Sequence, residues 1–387
     1  MKTVGIICEY NPFHNGHLYH LQKAKEIANN GTIIAILTGY FSMRGDISVL
    51  NKYDKIKTAI DNGINLTIEL PYLLGTQNAD LFAYNSIYLL NEMKVDTVLC
   101  GSEYNNLELI KDIYNLEQKQ EFQDLIKQEL KKGNSYRKSF SNALTKYNYE
   151  LNSNDMLNLK YYEAIQKINP NIELKLIKRI NNNYNDKTLN ETAIQSATAL
   201  RVASSIKGYV PDSVNEIYQN KGFYNINEFS NILKHLVTTI NANEIFMATE
   251  GIENSLKNDF KTIDELIEKL STKRYTSSRI KRFITYIITN TKKDDVFDVK
   301  SILPRVTGFD EKGKEYLAKI KKQVKYFTRL TNGINSIYDK ELLIAKIFTN
   351  IFEEDFIKFE QTLPYKKNME AWASVFLILS NICANWS

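Results

Sequence analysis

The chain has 387 residues, 43% of them hydrophobic and 25% charged, with a net charge of +5; it is too long for one small core and suggests two domains of ordinary size. No run approaches the ~18 apolar residues of a membrane span, and the opening MKTVGIICEYNP meets Glu9 and Pro12 too soon for a signal peptide. Three cysteines, Cys8, Cys100 and Cys383, without CxxC spacing point away from a disulfide framework and from a thiolate zinc site. A cytoplasmic globular protein is the expectation, and the modest net charge does not by itself imply a nucleic-acid partner.

The first half alternates strand and helix signals. TVGIIC (3–8) is a short apolar run, and GHLYHLQKAKEIA (16–28) repeats Leu18, Leu21, Ala24 and Ile27 along one helical face. TIIAILTG (32–39) is a second strand. A helical KYDKIKTAIDNG (52–63) leads to the strand NLTIELP (65–71), a helix around 78–93 leads to VDTVLCG (95–101), and NIELKLIKRI (171–180) is a further strand. Continuous apolar strands separated by helices predict a doubly wound α/β domain with a parallel sheet covered on both faces, over residues 1–205. Beyond about residue 206 helical periodicity takes over, so 206–387 is predicted to be a mainly helical, basic second domain.

Three of the four histidines, His14, His17 and His20, sit in GIICEYNPFHNGHLYHL (5–21). The turn leaving the first strand of an open α/β sheet is its usual phosphate-binding edge. A helix starting near Gly16 would aim its free N–H groups and positive dipole end into the crevice there. His14 from the loop and His17 from the first turn then supply two donors for phosphate oxygens during attack at phosphorus, and Gly16 lets backbone approach the nucleotide. For His20 an amphipathic helix position is the simpler reading. Zinc is disfavoured, because rings three residues apart on a helix fan out by ~300° and no thiolate or carboxylate partner stands nearby.

At these residues the chain resembles the HxGH nucleotidyltransferase superfamily. GIICEYNPFHNGHLYHL, LTGYFSMRGDISVLNKYDK, CGSEYNN, SNDMLNLKYYEAI, IKRINNNYND and IQSATALR, with KRYTSSRIKR and RVTGFDEKGKEYL further on, are together similar to the bacterial tRNA(Met) cytidine acetate ligase family. Met43 stands where glutamine is common, Asp155 where a second asparagine is common, and Cys100 where phenylalanine is common. The resemblance implies activation of acetate by ATP to acetyl-adenylate and transfer of the acetyl group to the wobble cytidine of elongator tRNA(Met). It implies His14 and His17 as catalytic residues. It also implies ATP contacts along Ile7, Cys8, Glu9, Tyr10, Asn11, Pro12, Phe13, His14, Asn15, Gly16, His17, Leu18, Tyr19 and His20, and at Gly101, Asn154 and Arg179. Mg²⁺ is expected with ATP, but no DxD pair near a strand end names its ligands.

Other positions carry two readings. Arg44 and Lys52 either meet phosphate or acetate, or form ion pairs with Asp46 and Asp54. Ser196 and Thr198 precede a helix as an N-cap would, and with Arg201 they also resemble a second phosphate clamp. KRYTSSRIKRFITYIITNTKK (273–293) holds seven basic residues and no acid, and 312–329 holds seven against one, with Tyr316, Tyr326 and Phe327 interleaved. A solvated face is the usual reading of a charged helix. Two such stretches behind a nucleotide-binding domain favour RNA phosphate contacts, with Arg274, Arg279 and Arg282 the chosen candidates, well apart from the nucleotide crevice in sequence. A small-molecule adenylyl- or cytidylyltransferase and a non-catalytic RNA-binding protein with a vestigial site are the alternatives.

Overall fold

A computed structural model describes residues 1–180, 194–249, 251–256, 259–272, 275–295 and 297–367. The strands are β1 (Val4–Cys8), β2 (Ile33–Thr38), β3 (Leu66–Leu70), β4 (Thr97–Ser102), β5 (Glu173–Lys178), β6 (Val306–Phe309) and β7 (Tyr365–Lys366). They form one sheet in the order β5-β4-β1-β2-β3-β6-β7. All pairs among β1 to β5 are parallel, as the continuous apolar runs predict.

Both faces of this sheet are covered, and β2 shows how. Ile33, Ala35 and Leu37 join Leu21, Ala24, Ile56 and Ile60 of the helices Asn15–Ala28 and Lys52–Asp61 on one face. Ile34 and Ile36 join Phe82, Ala83 and Ile87 of the helix Ala79–Glu92 on the other. Every residue of β2 is buried, so the strand has no polar face. Between β4 and β5 the chain runs through four helices, Leu107–Glu117, Gln120–Lys131, Tyr136–Thr145 and Ser153–Ile168, which share a small core around Phe122, Ile126, Phe140 and Leu159.

Past residue 206 helices dominate, but two strands from this part enter the sheet. β6 runs antiparallel beside β3 and β7 parallel beside β6, so the strand-poor half is anchored to the nucleotidyltransferase-like half by backbone pairing. Tyr316 and Phe327, read as interleaved among basic residues, point inward: the Tyr316 hydroxyl donates to the Met93 carbonyl at 2.7 Å and Phe327 packs edge-on to Tyr338. Tyr316 lies on the helix Glu311–Ile320, whereas Phe327 follows that helix and bridges to Arg305.

Sheet order fixes where a ligand can sit. From β1 the chain winds outward through β2 and β3, then returns to place β4 on the other side of β1. Helices on either side of that reversal diverge and leave a crevice at the carboxyl ends of β1 and β4. The HNGH turn leaves β1 there, and Gly101 lies near the end of β4.

Candidate active site

The crevice opens into a cavity of about 1120 Å³. Its wall includes Ile7, Cys8, Glu9, Tyr10, Asn11, His14, Gly16, His17, Tyr19, His20, Gly101, Asn154 and Arg179. Pro12, Phe13, Asn15 and Leu18 do not line it. Phe13 is buried against Tyr10 and His17, Asn15 donates to the Gly208 carbonyl, and Leu18 packs into the core under β1.

The helix begins at Asn15 with His14 as its N-cap. The His14 Nδ1 accepts from the Gly16 backbone N–H at 3.0 Å, and the His17 Nδ1 accepts from the His14 backbone N–H at 3.2 Å. This reciprocal pair is a capping box made of imidazoles. It corrects the expectation of free helix amides: Asn15 N–H goes to the Tyr209 carbonyl and His17 N–H to the His14 carbonyl. What the turn offers the crevice is therefore ring chemistry rather than backbone N–H groups.

With each Nδ1 acting as acceptor, a neutral ring carries its proton on Nε2. Burial, then the positive charges of Arg179 and Arg201, push His14 down to about 3. Burial and the neighbouring rings push His17 well below the usual histidine range. Both rings are consequently neutral at physiological pH and stack with centroids 3.8 Å apart and planes at 25°. Each is a fixed Nε2–H donor, and the positive charge comes from Arg179 and Arg201. His20 is held down to about 4, chiefly by burial, and its Nε2 bonds the Leu99 carbonyl of β4 at 3.1 Å, tying the helix to the neighbouring strand.

Gly16 has a steric role. A Cβ there would lie 2.8 Å from the Cε1 of His14, so any side chain displaces the capping ring. A Cβ on Gly101 would meet the Arg179 side chain at 3.4 Å, on the surface facing the cavity. The Asn154 amide donates to the Glu103 carboxylate, while Asp155 accepts from the Ser102 hydroxyl and from the backbone N–H groups of Glu103 and Tyr104. Asp155 thus fixes the turn after β4 on which Asn154 rests. Burial pushes the Cys8 and Cys100 thiols up to about 12, so neither is a thiolate; Cys383 lies outside the described residues.

Ser196 caps the helix Ala197–Val202, accepting from Ala199 N–H at 3.1 Å. Arg201, one turn on, donates to the Asn11 carbonyl at 2.9 Å and to the Thr198 hydroxyl at 3.1 Å, and it lines the cavity with Gln195 and Ser196. Lys52 is elsewhere. Its ammonium is buried among the Glu69, Glu341 and Glu360 carboxylates, so neither of its expected roles holds. Asp46 pairs with Lys281 at 2.6 Å and Asp54 with Lys221 at 3.2 Å.

The second-half arginines also differ from their sequence position. Arg279 and Arg282 line the same cavity as the HNGH turn, because the helix Ser277–Ile288 packs on the loop after β2. A Cβ on Gly45 would lie 2.5 Å from the Arg282 backbone N, and the Thr285 hydroxyl donates to the Gly45 carbonyl at 3.1 Å. Arg274 lies outside the described residues.

Residues 1–362 match the HIGH Nucleotidyl Transferase family. The chain is 34% identical over 381 residues to a tRNA(Met) cytidine acetate ligase of Caldicellulosiruptor saccharolyticus, covering 92% of this chain and 95% of the relative. It is 37% identical over 354 residues to a tRNA(Met) cytidine acetate ligase of Thermosipho melanesiensis, covering 84% and 83%. The chain belongs to the tRNA(Met) cytidine acetate ligase family. Two crystal structures of Thermotoga maritima TmcAL agree with that membership, each 26% identical and covering 95% of this chain and 99% of the other: an apo form at a TM-score of 0.82 and a form bound with alpha-thio ATP at 0.80.

For a member of this family, one group at the cavity escaped sequence reasoning. Arg137 begins the third inserted helix and donates to the Ser153 hydroxyl at 2.7 Å. Its only local signal is the N-cap Ser135, which marks a helix and not a site. Among the described residues no helix is long and apolar enough to cross a membrane.

Proposed function

We propose that the chain activates acetate with ATP and acetylates the exocyclic amine of the wobble cytidine of elongator tRNA(Met), forming N(4)-acetylcytidine. The observation that carries this reading is the pair of neutral, mutually capped imidazoles at the β1–β4 crevice, in a chain of this family and beside Arg179 and Arg201.

ATP would lie along the turn, with Gly101 and Asn154 beside the nucleoside and Arg179 reaching its phosphates. An acetate oxygen attacks the α-phosphorus, the bond to the bridging oxygen breaks, and pyrophosphate leaves with the electron pair. His14 and His17 donate Nε2–H to phosphate oxygens as charge builds on them, and neutral rings suit this because no proton needs to move. The cytidine amine then attacks the acetyl carbon, AMP leaves, and the amine proton passes to a base. Residues 1–205 serve as the catalytic unit and 206–387 as the unit that brings tRNA, with Arg274, Arg279 and Arg282 as phosphate contacts.

Mg²⁺ accompanies ATP in such chemistry, but the cavity's carboxylates suit it poorly. Glu9 accepts from the Met43 N–H at 2.6 Å, and Asp80 stands 3.3 Å from the Lys160 ammonium. Neither is assigned as a ligand.

The test is incubation with ATP and labelled acetate, with and without tRNA. Acetyl-adenylate should form without tRNA, and AMP and labelled RNA should appear when tRNA is added. If acetate fails to support pyrophosphate exchange while another metabolite accepts the nucleotide, the chain is a small-molecule nucleotidyltransferase.

A further inference from the structure

The cavity straddles the carboxyl edge of the sheet, and its lining comes from both cores. Successive strand residues face opposite sides of a sheet. Cys8 of β1 and Leu99 of β4 face the core under the helix Asn15–Ala28. Gly101 shares that side, where a Cβ would meet Arg179, whose charge acts on His14. Ile7 and Cys100 face the other way and pack with Met43, Phe82 and Tyr161. All five of these line the cavity as well. At about 1120 Å³ it has more room than the ~300–1,000 Å³ of one small-molecule site, and the nucleotide contacts proposed above leave its second side to another ligand.

Glu9 stands where the two sides meet. It directly follows β1 and is half-buried, and the next residue, Tyr10, packs edge-on to the His17 ring with centroids 4.8 Å apart. Its Oε1 accepts from the Met43 N–H at 2.6 Å. Tyr161, raised well above the phenol range by burial, also feels Cys100 and Glu9, so the carboxylate turns toward the second side. An ionised carboxylate has about four acceptor positions, of which the Met43 N–H takes one. Burial holds the Glu9 carboxyl above its usual range, against the pull of the Met43 N–H, Arg44 and Lys55, with Asp46 adding to the rise. Asp80, the other carboxylate of the described lining, is exposed and stands 3.3 Å from the Lys160 ammonium.

We propose that the second side of the cavity is the pocket for the unstacked cytosine, and that Glu9 accepts a hydrogen of its N4 amine and takes that proton as the amine is acylated. Apolar and aromatic walls such as Phe82 and Tyr161 suit a base drawn out of its stack, and a carboxylate is a fitting acceptor for cytosine N4. In the step, N4 bonds to the acetyl carbon and the bond from that carbon to the adenylate oxygen breaks. AMP leaves with the electron pair, and the N4 proton passes to Glu9. A carboxyl raised toward neutrality is a better proton acceptor than an ordinary one. Its place beside Tyr10 and His17 sets the base next to the rings that hold the phosphates. The pocket rests on the ligase reading for its substrate.

The experiment uses the full chain and its Glu9→Gln, Glu9→Asp and Asp80→Asn variants. Each is charged with ATP and labelled acetate and mixed with tRNA(Met), and single-turnover acetyl transfer is followed from about pH 5 to 8, beside acetate-dependent pyrophosphate exchange. Glu9→Gln keeps an oxygen for the Met43 N–H, so the loop should hold. Its transfer rate should fall by ~10²–10⁴ and lose the acid limb of the pH profile, while exchange falls far less. His14 and His20, at about 3 and 4, and His17, well below its usual range, do not titrate there, whereas Lys55, held down to about 7 by burial, acts at the upper end. Glu9→Asp should keep the limb at a lower rate, and Asp80→Asn should keep it as well. Glu9→Gln with an intact limb or wild-type transfer overturns the proposal. So does a loss of exchange equal to the loss of transfer, which makes Glu9 a nucleotide contact, and so does a limb lost in Asp80→Asn. If the wild type exchanges but never labels tRNA, the ligase reading falls and the pocket with it, a result the wild type alone reveals.

Discussion

Arg305, immediately before β6, places its Nη1 2.9 Å from the Oε2 of Glu69 on β3, and both side chains are buried. The pair belongs to a larger group. Arg305 also reaches Glu360 at 2.6 Å, and the Lys52 ammonium stands 2.7 Å from both Glu341 and Glu360. Two cations and three carboxylates thus bind the second half of the chain to the central sheet, in a place where each charge is tolerable only because the others are present.

Removing one member should therefore cost far more than a surface pair would. Arg305→Ala leaves Lys52 alone against the buried Glu69, Glu341 and Glu360 carboxylates, and a loss of ~3–5 kcal/mol is expected, against ~0–1 kcal/mol for Lys23→Ala, which breaks an exposed pair. Urea unfolding of both variants measures the difference. Near-equal midpoints would mean that the cluster relaxes or hydrates when opened.

His14 joins two roles that substitution can separate. As the N-cap its ring accepts from Gly16, and as a donor it presents Nε2–H to the cavity. His14→Ala should lose ~0.5–2 kcal/mol of stability and ~10²–10³ in acetate-dependent pyrophosphate exchange. His14→Asn keeps a side-chain acceptor for the cap, so stability should return while exchange stays low. Recovery of exchange with the cap would show that His14 acts through the helix alone.

Acid should weaken the fold through the same histidines. His14 is held at about 3 and His20 at about 4 in the folded chain, chiefly by burial, against about 6.5 when unfolded. Below pH 6.5 the unfolded chain binds protons that the folded chain refuses. The stability from neutral rings is thus complete above that value and lost as pH falls from 6.5 toward 4 and 3. His20→Gln should flatten the decline by up to ~1.4 kcal/mol per pH unit between pH 6 and 4.5. Urea midpoints of the two proteins over that range would show parallel slopes if His20 is protonated in the fold.

Gly16→Ala tests a contact rather than a charge. The new methyl would lie 2.8 Å from the Cε1 and 3.0 Å from the Nδ1 of His14, so the ring must swing off its cap. Exchange should fall by at least tenfold, whereas helix propensity alone would favour alanine by up to ~1 kcal/mol. Retained exchange would mean that the ring tolerates the shift.

Much of this was legible in the sequence where structure is local. Of the five parallel strands, β1 and β2 could be read as continuous apolar runs, whereas β5, ELKLIK at the sheet's edge, alternates apolar with charged residues, and the HNGH turn could be read because its place after the first strand gives a common tetrapeptide a meaning. β6 could not be read that way. VTGF is four residues long with a glycine inside, and its pairing draws on partners far away, such as the Thr307 hydroxyl 3.0 Å from that of Thr67. Lys52 failed for the same reason: its partner Glu341 lies 289 positions on, and only the folded sheet brings them together. The nearby Asp54 was the natural guess from spacing, but it faces Lys221.

Arg279 and Arg282 show the reverse error, since distance in sequence suggested distance from the nucleotide. Both line the cavity, yet they need not serve the same ligand as Arg179. Arg179 and Arg201 shape the electrostatics of His14, and neither Arg279 nor Arg282 does. Replacing Arg279 and Arg282 together by alanine should lower the salt slope of tRNA binding by about two. Weaker ATP binding should follow from Arg179→Ala. Truncating Arg282 leaves the backbone against which Gly45 packs, so the loop after β2 should keep its place. Calorimetry with ATP and a tRNA salt series on both variants form a cross. If the double variant loses ATP affinity as fully as Arg179→Ala does, the two arginine groups act as one site and the division between nucleotide and RNA contacts is wrong.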